Sequence, residues 1–554
     1  MTSARKEEFQ ESVKFDFLNN QQVHAFFNFS TTWTQSDDFY EGHYRLFPRP
    51  VGELVKKYNI EEFHFSLTQG LWRVEQWDVS PTSNPTGAQI RAWFERDTPD
   101  VDRNWVGFTN AISGIFCTSL SFINKDVTIT PTVSFRPTGL VEDGVVDNAL
   151  FRYGALVREN LCTENLTPWL KLLPCFSRAG VASLLKNPKW LHYNRYLSMN
   201  IAFKRTCHDP DCNEIDLNLE QHLSSVFDIR EDFTAAPDFS ISSIFGDKLK
   251  PACSVVDRSY VALQVLLDVA LYPDLDFTKS EDGRYHILDL KSLVRESNLL
   301  YSWLTIPDST HDASPSIFSQ CHSSIQELDG RLICAIPNLT ARNLTILFLQ
   351  SMPWFLHAQF HTLKIHSDTN SKLEPLWKSF KPGKIRESPH VLELALELPA
   401  NSVTHLEFAF ILGFLKWTEH PPDANHGFYI SPSVLSVRSA DIELDSTQEI
   451  TYIYGDSLLV SIPVPDFSMP YNVICMVCTI VAILFGSMHN ISCRILMVKP
   501  AGQSNSPLGA LVSKIKTRLT QLFSKKQKVV ESTTSDKSEP ELSEENVTQS
   551  SSVS

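Results

Sequence analysis

The densest chemistry in the sequence is the run Cys207-His208-Asp209-Pro210-Asp211-Cys212, which gathers two thiols, an imidazole and two carboxylates. Such a set could hold a metal, but a zinc site needs further ligands that no neighbouring residue supplies at the right spacing. The spacing favours a disulfide, Cys207–Cys212, closing a tight acidic loop. Elsewhere His64, His208, His357, His361 and His426 lie among many serines and aspartates. These are the raw material of a Ser/His/Asp triad, which converges only in space. No G-x-S-x-G elbow, Walker loop or dinucleotide glycine motif accompanies them. No CxxC…CxxC or HExxH spacing marks a metal centre. Seventeen histidines in 554 residues is an ordinary load, so they read as structural. No catalytic residue, metal or cofactor is expected.

A second polar set sits where polarity is out of place. Asp466, Ser468 and Asn472 open the run DFSMPYNVICMVCTIVAILFG, and no formal charge falls between Asp466 and Arg494. That length suits a helix across a hydrocarbon layer roughly 30 Å thick. Asp466 and Ser468 are also ordinary helix-capping types. Cys475 and Cys478 form a CxxC inside the run, where they read as small apolar residues. Asp456 and Asp466 precede the run, while Arg494, Lys499, Lys514, Lys516 and Arg518 follow it. Excess Lys and Arg marks the cytoplasmic side, so the C-terminus is expected in the cytosol and the N-terminus in a lumen. The predicted transmembrane segment is 466–493 and the cytosolic tail 494–554. In the tail, Leu508, Leu511, Val512, Ile515, Leu519, Leu522 and Phe523 recur at helical spacing among lysines. This is an amphipathic basic helix, suited either to an anionic leaflet or to a partner. After Val530 the composition is that of a disordered acidic end.

The formal net charge of −15 and a pI near 5.6 argue against nucleic-acid binding. With 42% hydrophobic residues, the chain can build at least two cores. Cysteines ahead of the apolar run suit an oxidising compartment. So do the glycosylation sequons at Asn28, Asn165, Asn338 and Asn343. A lumenal domain needs a signal peptide, and MTSARKEEFQ has no apolar core. Residues 1–13 are therefore expected to be a leader remnant or an altered N-terminus.

The elements that must position these residues are mostly strands. VTITPTVSF (127–135), HVLELALEL (390–398) and THLEFAFIL (404–412) alternate with period two. ITYIYGDSLLVSIPV (450–464) reads as two strands joined through Gly455-Asp456. GELVKKYNIEEF (52–63) starts as an amphipathic helix, and 104–123 reads as a helix leading into a strand. A Pro/Gly/Ser-rich stretch near 230–260 suggests a boundary. No internal repeat is visible. The predicted fold is mainly β with some α: an N-terminal α+β domain (14–245), a C-terminal β-sandwich domain (246–465) and one C-terminal transmembrane helix.

Six blocks, in order, carry a resemblance. They are HYRLFPRPVGELVKKYNIEEFHFSLTQGLWR (43–73), SGIFCTSLSFI (113–123), CTENLTPWLKLLPC (162–175), LPANSVTHLEF, LKWTEHPPDANHGFYISPSVLS and PVPDFSMPYNVIC. Together they resemble the PIG-T family, the T subunit of the glycosylphosphatidylinositol (GPI) transamidase. That resemblance implies a non-catalytic scaffold in the endoplasmic reticulum membrane. The scaffold would hold a caspase-like catalytic subunit and other membrane subunits while a GPI lipid is joined to a precursor protein. It implies that Cys162 is linked by disulfide to the catalytic subunit. It also implies that Asn425, Asp466, Ser468 and Asn472 help position the lipid. The internal disulfides considered are Cys175–Cys253, Cys207–Cys212 and Cys321–Cys334, which leave Cys162 and a buried free thiol at Cys117. Spacing does not fix connectivity, and a Cys162–Cys175 bridge is the alternative. The Cys321–Cys334 region and the acidic tail lie outside the resemblance. The rival readings are an independent membrane-anchored lumenal or cell-surface binding protein, and a lumenal hydrolase.

Overall fold

The computed structural model describes residues 7–18, 22–36, 44–77, 79–140, 147–209, 212, 214–228, 238–265, 269–272, 276–298, 300–303, 317–368, 372–421, 423–438, 450–464, 466, 468–493 and 510–518. They fall into two units, 1–465 and 466–554.

The first unit begins with seven strands: β1 Glu7–Leu18, β2 Gln22–Ser36, β3 Ile60–Gln69, β4 Gly87–Phe94, β5 Phe151–Leu156, β6 Asn194–Cys207 and β7 Glu214–Asp228. With Arg258–Gln264, Thr278–Lys279 and Tyr285–Asp289 they build one ten-stranded sheet. Its order is Thr278–Lys279, Tyr285–Asp289, Arg258–Gln264, β1, β2, β7, β6, β3, β4, β5. Alternation sets the faces. Phe9, Val13 and Phe15 of β1 lie on the same side as Val23, Ala25, Phe27 and Phe29 of β2, and all are buried. Helices Arg49–Tyr58, Val101–Phe116 and Thr163–Lys171 cover that side, with Val55, Phe108, Ile112 and Trp169 entering the core.

Two smaller sheets form the second layer. One has the order Gln320–Gln326, Asp329–Asn338, Ser402–Leu412, Leu356–Ser367. The other has the order Trp377–Lys381, His390–Leu398, Leu344–Met352, Val434–Arg438, Ile450–Tyr454. Leu332, Ile346, Phe348, Leu394, Leu396, Phe408 and Phe410 fill the space between them. The five-stranded sheet also meets the end of the large one, where Trp93, Phe151 and Tyr153 pack with Leu349, Val391, Val434 and Tyr454.

Several sequence expectations are corrected. Residues 7–13, expected to belong to a leader remnant or an altered N-terminus, are the first half of β1, with Phe9 and Val13 in the core. The 245/246 boundary does not separate the layers, because Arg258–Gln264 returns to pair in parallel with β1. Residues 127–135 do not form a strand. Their single bridge, Ile129 to Tyr153, gives way to a loop gripped by Glu393. The Glu393 carboxylate accepts the N–H groups of Thr132 (2.6 Å), Val133 (3.1 Å) and Ser134 (3.0 Å). Helix Val101–Phe116 ends at Cys117 in the left-handed region (φ 53°) and runs into a 3₁₀ turn, Leu120–Phe122, not a strand. Strands Ile450–Tyr454 and Leu458–Val460 flank Gly455-Asp456 but join different sheets.

In the second unit, helix Ser468–Ser492 contains the span Tyr471–Ser492, long and apolar enough to cross a membrane. The Thr479 and Ser487 hydroxyls donate to the carbonyls of Cys475 and Ile483, both at 2.7 Å, so neither needs an outside partner. Residues 510–518 are helical and exposed; the remainder of the predicted amphipathic helix lies outside the described residues.

Candidate functional site

Cys162 is the N-cap of helix Thr163–Lys171, and its thiol is free and exposed. Its position is set by Asn165, one turn on. The Asn165 Oδ1 accepts the Cys162 backbone N–H (2.8 Å) and the Cys162 Sγ–H (3.2 Å). The Asn165 Nδ2 donates to the carbonyls of Phe116 (2.7 Å) and Cys117 (3.2 Å). One buried amide thus ties the start of this helix to the end of helix Val101–Phe116. The motif is a capping box with cysteine in place of serine, and Cys-x-x-Asn was its unused sequence signal.

Cys117, expected to be buried, is exposed as well. It sits just beyond the helix C-terminus, where its side chain turns outward. Disulfides join Cys175 to Cys253, Cys207 to Cys212 and Cys321 to Cys334. The alternative bridge from Cys162 to Cys175 is therefore excluded. Cys475 and Cys478 are exposed on the apolar helix.

The sequons separate by burial. Asn165 is 2% exposed and Asn338 0%, and the amide of Asn338 donates to the carbonyls of Arg342, Leu398 and Pro399. Both amides are committed to hydrogen bonds within the fold. Asn28 lies half-buried on β2, between two paired strands. Asn343 is exposed.

The proposed lipid contacts fall in both units. Asn425 is exposed on a 3₁₀ turn, Ala424–His426, steadied by a 3.1 Å hydrogen bond between His426 Nε2 and the Tyr429 hydroxyl. Asp466 and Asn472 are exposed in the second unit, and Ser468 begins its helix. The side chain of Ser468 lies outside the described residues.

A groove of about 1010 Å³ opens between the two layers of the first unit. Trp354, Phe355, Phe428 and Tyr429 line one wall, and Phe122 and Ala155 belong to the other. Arg386 forks onto Glu419 and lies 5.0 Å from the centre of the Trp354 ring. At one end Ser119 N–H donates to Glu159 at 2.8 Å, a few residues from Cys117 and Cys162.

Among the described residues, side chains far apart in sequence form one triad-like alignment. His24 Nε2 is 2.8 Å from Ser224 Oγ, and His24 Nδ1 is 3.5 Å from Asp16 Oδ2. The order is that of a triad. Ser224, however, is fully buried and His24 is 2% exposed beneath Trp72 at 5.1 Å, so no substrate reaches the hydroxyl in this conformation. Asp16 also accepts from Tyr285. Burial pushes its carboxyl up, but His24, Lys14 and Tyr285 outweigh it and hold it below the usual range.

Behind the large sheet, His64, Arg91, Glu220 and His222 surround a polar cavity of about 70 Å³. Burial, aided by the Arg91 charge, lowers the His64 pKa, and burial lowers that of His222, so both imidazoles are neutral. Glu62 is held ionised against burial by His64 and by the N–H of Gly139 at 2.8 Å. Arg91 lies 4.8 Å from the centre of the Tyr452 ring, reaching the other layer; among the described residues no set of His, Cys, Asp and Glu could hold a metal.

Comparison with known proteins adds what geometry leaves open. Residues 1–236 and 230–520 match the family described as "Gpi16 subunit, GPI transamidase component". The GPI-anchor transamidase components PIGT of Mus musculus and Homo sapiens are each 37% identical over 528 residues, 88% of this chain and 90% of theirs. The GPI transamidase component GPI16 of Saccharomyces cerevisiae is 27% identical over 558 residues, 89% of this chain and 88% of that one. The collagen adhesin (CNA) from S. aureus covers 83% of this chain and 93% of that one at 7% identity and a TM-score of 0.19, too slight a likeness to bear on fold or function.

Proposed function

This chain belongs to the Gpi16 (PIG-T) family of GPI transamidase components, and from that membership we propose that it is the complex's non-catalytic scaffold. It holds the caspase-like catalytic subunit through a disulfide at Cys162. It sits in the endoplasmic reticulum membrane by its apolar helix, with the first unit in the lumen and the C-terminus in the cytosol.

The observation that carries this reading is the presentation of Cys162. Its thiol is free and exposed while three disulfides occupy six other cysteines. The Asn165 cap fixes the direction in which the thiol leaves the surface, which lowers the entropy lost on pairing. A covalent link then keeps the partner at high effective concentration without a large interface. Helix Tyr471–Ser492 supplies a single anchor, and small residues along it, such as Gly486 and Ser487, suit close helix packing with other membrane subunits.

The same reading gives Asn425, Asp466, Ser468 and Asn472 to the GPI lipid. A carboxylate attracts the ethanolamine ammonium, and amide and hydroxyl groups hydrogen-bond phosphate or sugar. Non-reducing electrophoresis of the native complex tests the tether. A covalent heterodimer that collapses with reductant and is absent in Cys162→Ser is the expected result; a heterodimer unchanged in Cys162→Ser overturns it. For the lipid contacts, Asp466→Ala with Asn472→Ala should reduce anchor attachment in a fully assembled complex. Normal attachment in that double variant would remove the lipid role.

A further inference from the structure

The geometry points to a strand-docking groove beside Cys162: an extended apolar segment of the disulfide partner adds to the open edge of β5. This rests on the tether reading of Cys162, and three observations lead to it.

The first is an unfinished sheet. β5 is the last strand of the ten-stranded sheet and pairs with β4 alone. Tyr153 exchanges both backbone hydrogen bonds with Ile129 on the outer side, at 2.8 and 3.0 Å. Groups facing outward therefore belong to alternate residues, and Ala155 is the next one. Its N–H and C=O point away from β4, and among the described residues nothing pairs with them. Ala155 is buried, so these groups are also poorly hydrated. An unpaired, half-dry strand edge is satisfied best by another backbone.

The second observation is the space in front of that edge. The groove of about 1010 Å³ begins at 155–159 and is faced by Trp354, Phe355 and Phe428. Phe122 stands at its rim, 67% exposed. Arg386 is paired with Glu419 and Glu159 accepts the Ser119 N–H, while Lys125, Asp126 and Arg158 also line the groove. The aromatic wall favours an extended segment whose apolar side chains face Trp354, Phe355 and Phe428.

The third is continuity with the thiol. Cys162 N–H is held by Asn165, Asn165 holds the Cys117 carbonyl, and two residues on Ser119 reaches Glu159 at the groove end. Cys162 also follows Glu159 by three residues, so a chain bonded to it leaves the surface within about 10 Å of the groove end. This selects the disulfide partner as the occupant over a free peptide or a lipid.

The test uses the assembled complex, with the photo-crosslinking residue p-benzoylphenylalanine placed at Phe122 and, as a control, at Val294, which is 88% exposed. Irradiation should join Phe122, and not Val294, to the same chain that is disulfide-linked at Cys162. Ala155→Pro removes the outward N–H, which makes no bond within the sheet, and adds a ring at an edge strand, where proline is accommodated. It should cut the Phe122 crosslink at least tenfold while leaving the Cys162 heterodimer intact. Phe122→Glu, at an exposed position, is the second variant: with the photo-crosslinker moved to Tyr429, it should lower that crosslink too. A Phe122 crosslink to lipid, to precursor protein or to nothing overturns the proposal. So does a crosslink indifferent to both variants. The same crosslink in Cys162→Ser separates the two readings. If it persists while the wild-type chain shows no covalent heterodimer, strand docking stands and the tether fails.

Discussion

Replacing Asn165 with alanine removes one side chain that joins three backbone groups. The Phe116 carbonyl, the Cys117 carbonyl and the Cys162 N–H each lose their partner, at former distances of 2.7, 3.2 and 2.8 Å. Asn165 is only 2% exposed, so water does not freely replace the amide. At roughly 1 kcal/mol for each group left unsatisfied, the loss is about 3 kcal/mol. The same change releases the direction of the Cys162 thiol, so the yield of interchain disulfide should fall with it. Thr167→Ala is the matched control. It destroys the same sequon, but Thr167 is exposed and its hydroxyl bonds only the Thr163 carbonyl at 2.7 Å. Its expected cost is below about 0.5 kcal/mol. Urea titration of the detergent-solubilised chain, followed by tryptophan fluorescence, reads both variants, with Trp169 buried on the same helix. Neither should change the shift produced by glycosidase. Equal stability loss in the two variants, or a loss under about 1 kcal/mol for Asn165→Ala, would refute the reasoning.

Burial pushes the Glu11 carboxyl up to about 7, against hydrogen bonds from Ser259 and from the backbone of Val181 and Cys253, whereas the same group in an unfolded chain titrates near 4.5. Between those values the unfolded chain sheds a proton that the fold retains, so this group's contribution to stability falls as pH rises from 4.5 through 7, by about 3 kcal/mol in total. Glu11→Gln removes that slope: its stability relative to wild type should climb between pH 4.5 and 8, and a flat difference in urea titrations contradicts the assignment. Glu393→Gln keeps one acceptor oxygen for Val133 and Ser134 but sets an amide NH2 against the Thr132 N–H, and should cost about 2 kcal/mol and speed amide exchange most at Thr132 and less at Val133 and Ser134. Unchanged exchange there would show that Glu393 does not hold the loop.

Local periodicity determined much of this protein. The alternation in 390–398 and 404–412 became strands because each side chain's face follows from its neighbours two positions away. Within the predicted 466–493 segment, Ser468–Ser492 became a helix for an equally local reason: it is long and uncharged, with no proline after Pro470. Blocks of residues, taken together, carried the family. What periodicity missed was everything that depends on register between distant segments. Asn165 matched a glycosylation sequon, yet its amide is consumed by carbonyls at Phe116 and Cys117. Glu393 alternated onto the polar face of its strand, and the 132–134 loop of the other layer covers it. Residues 127–135 alternate as a strand should, but three of their N–H groups found a carboxylate instead of a neighbouring backbone. Asp16, His24 and Ser224 line up because β2 pairs with both β1 and β7 in one register, a contact across 200 positions. Residue types and spacing fix what each segment can do alone; which polar groups are left for function is decided only when the fold has satisfied the others.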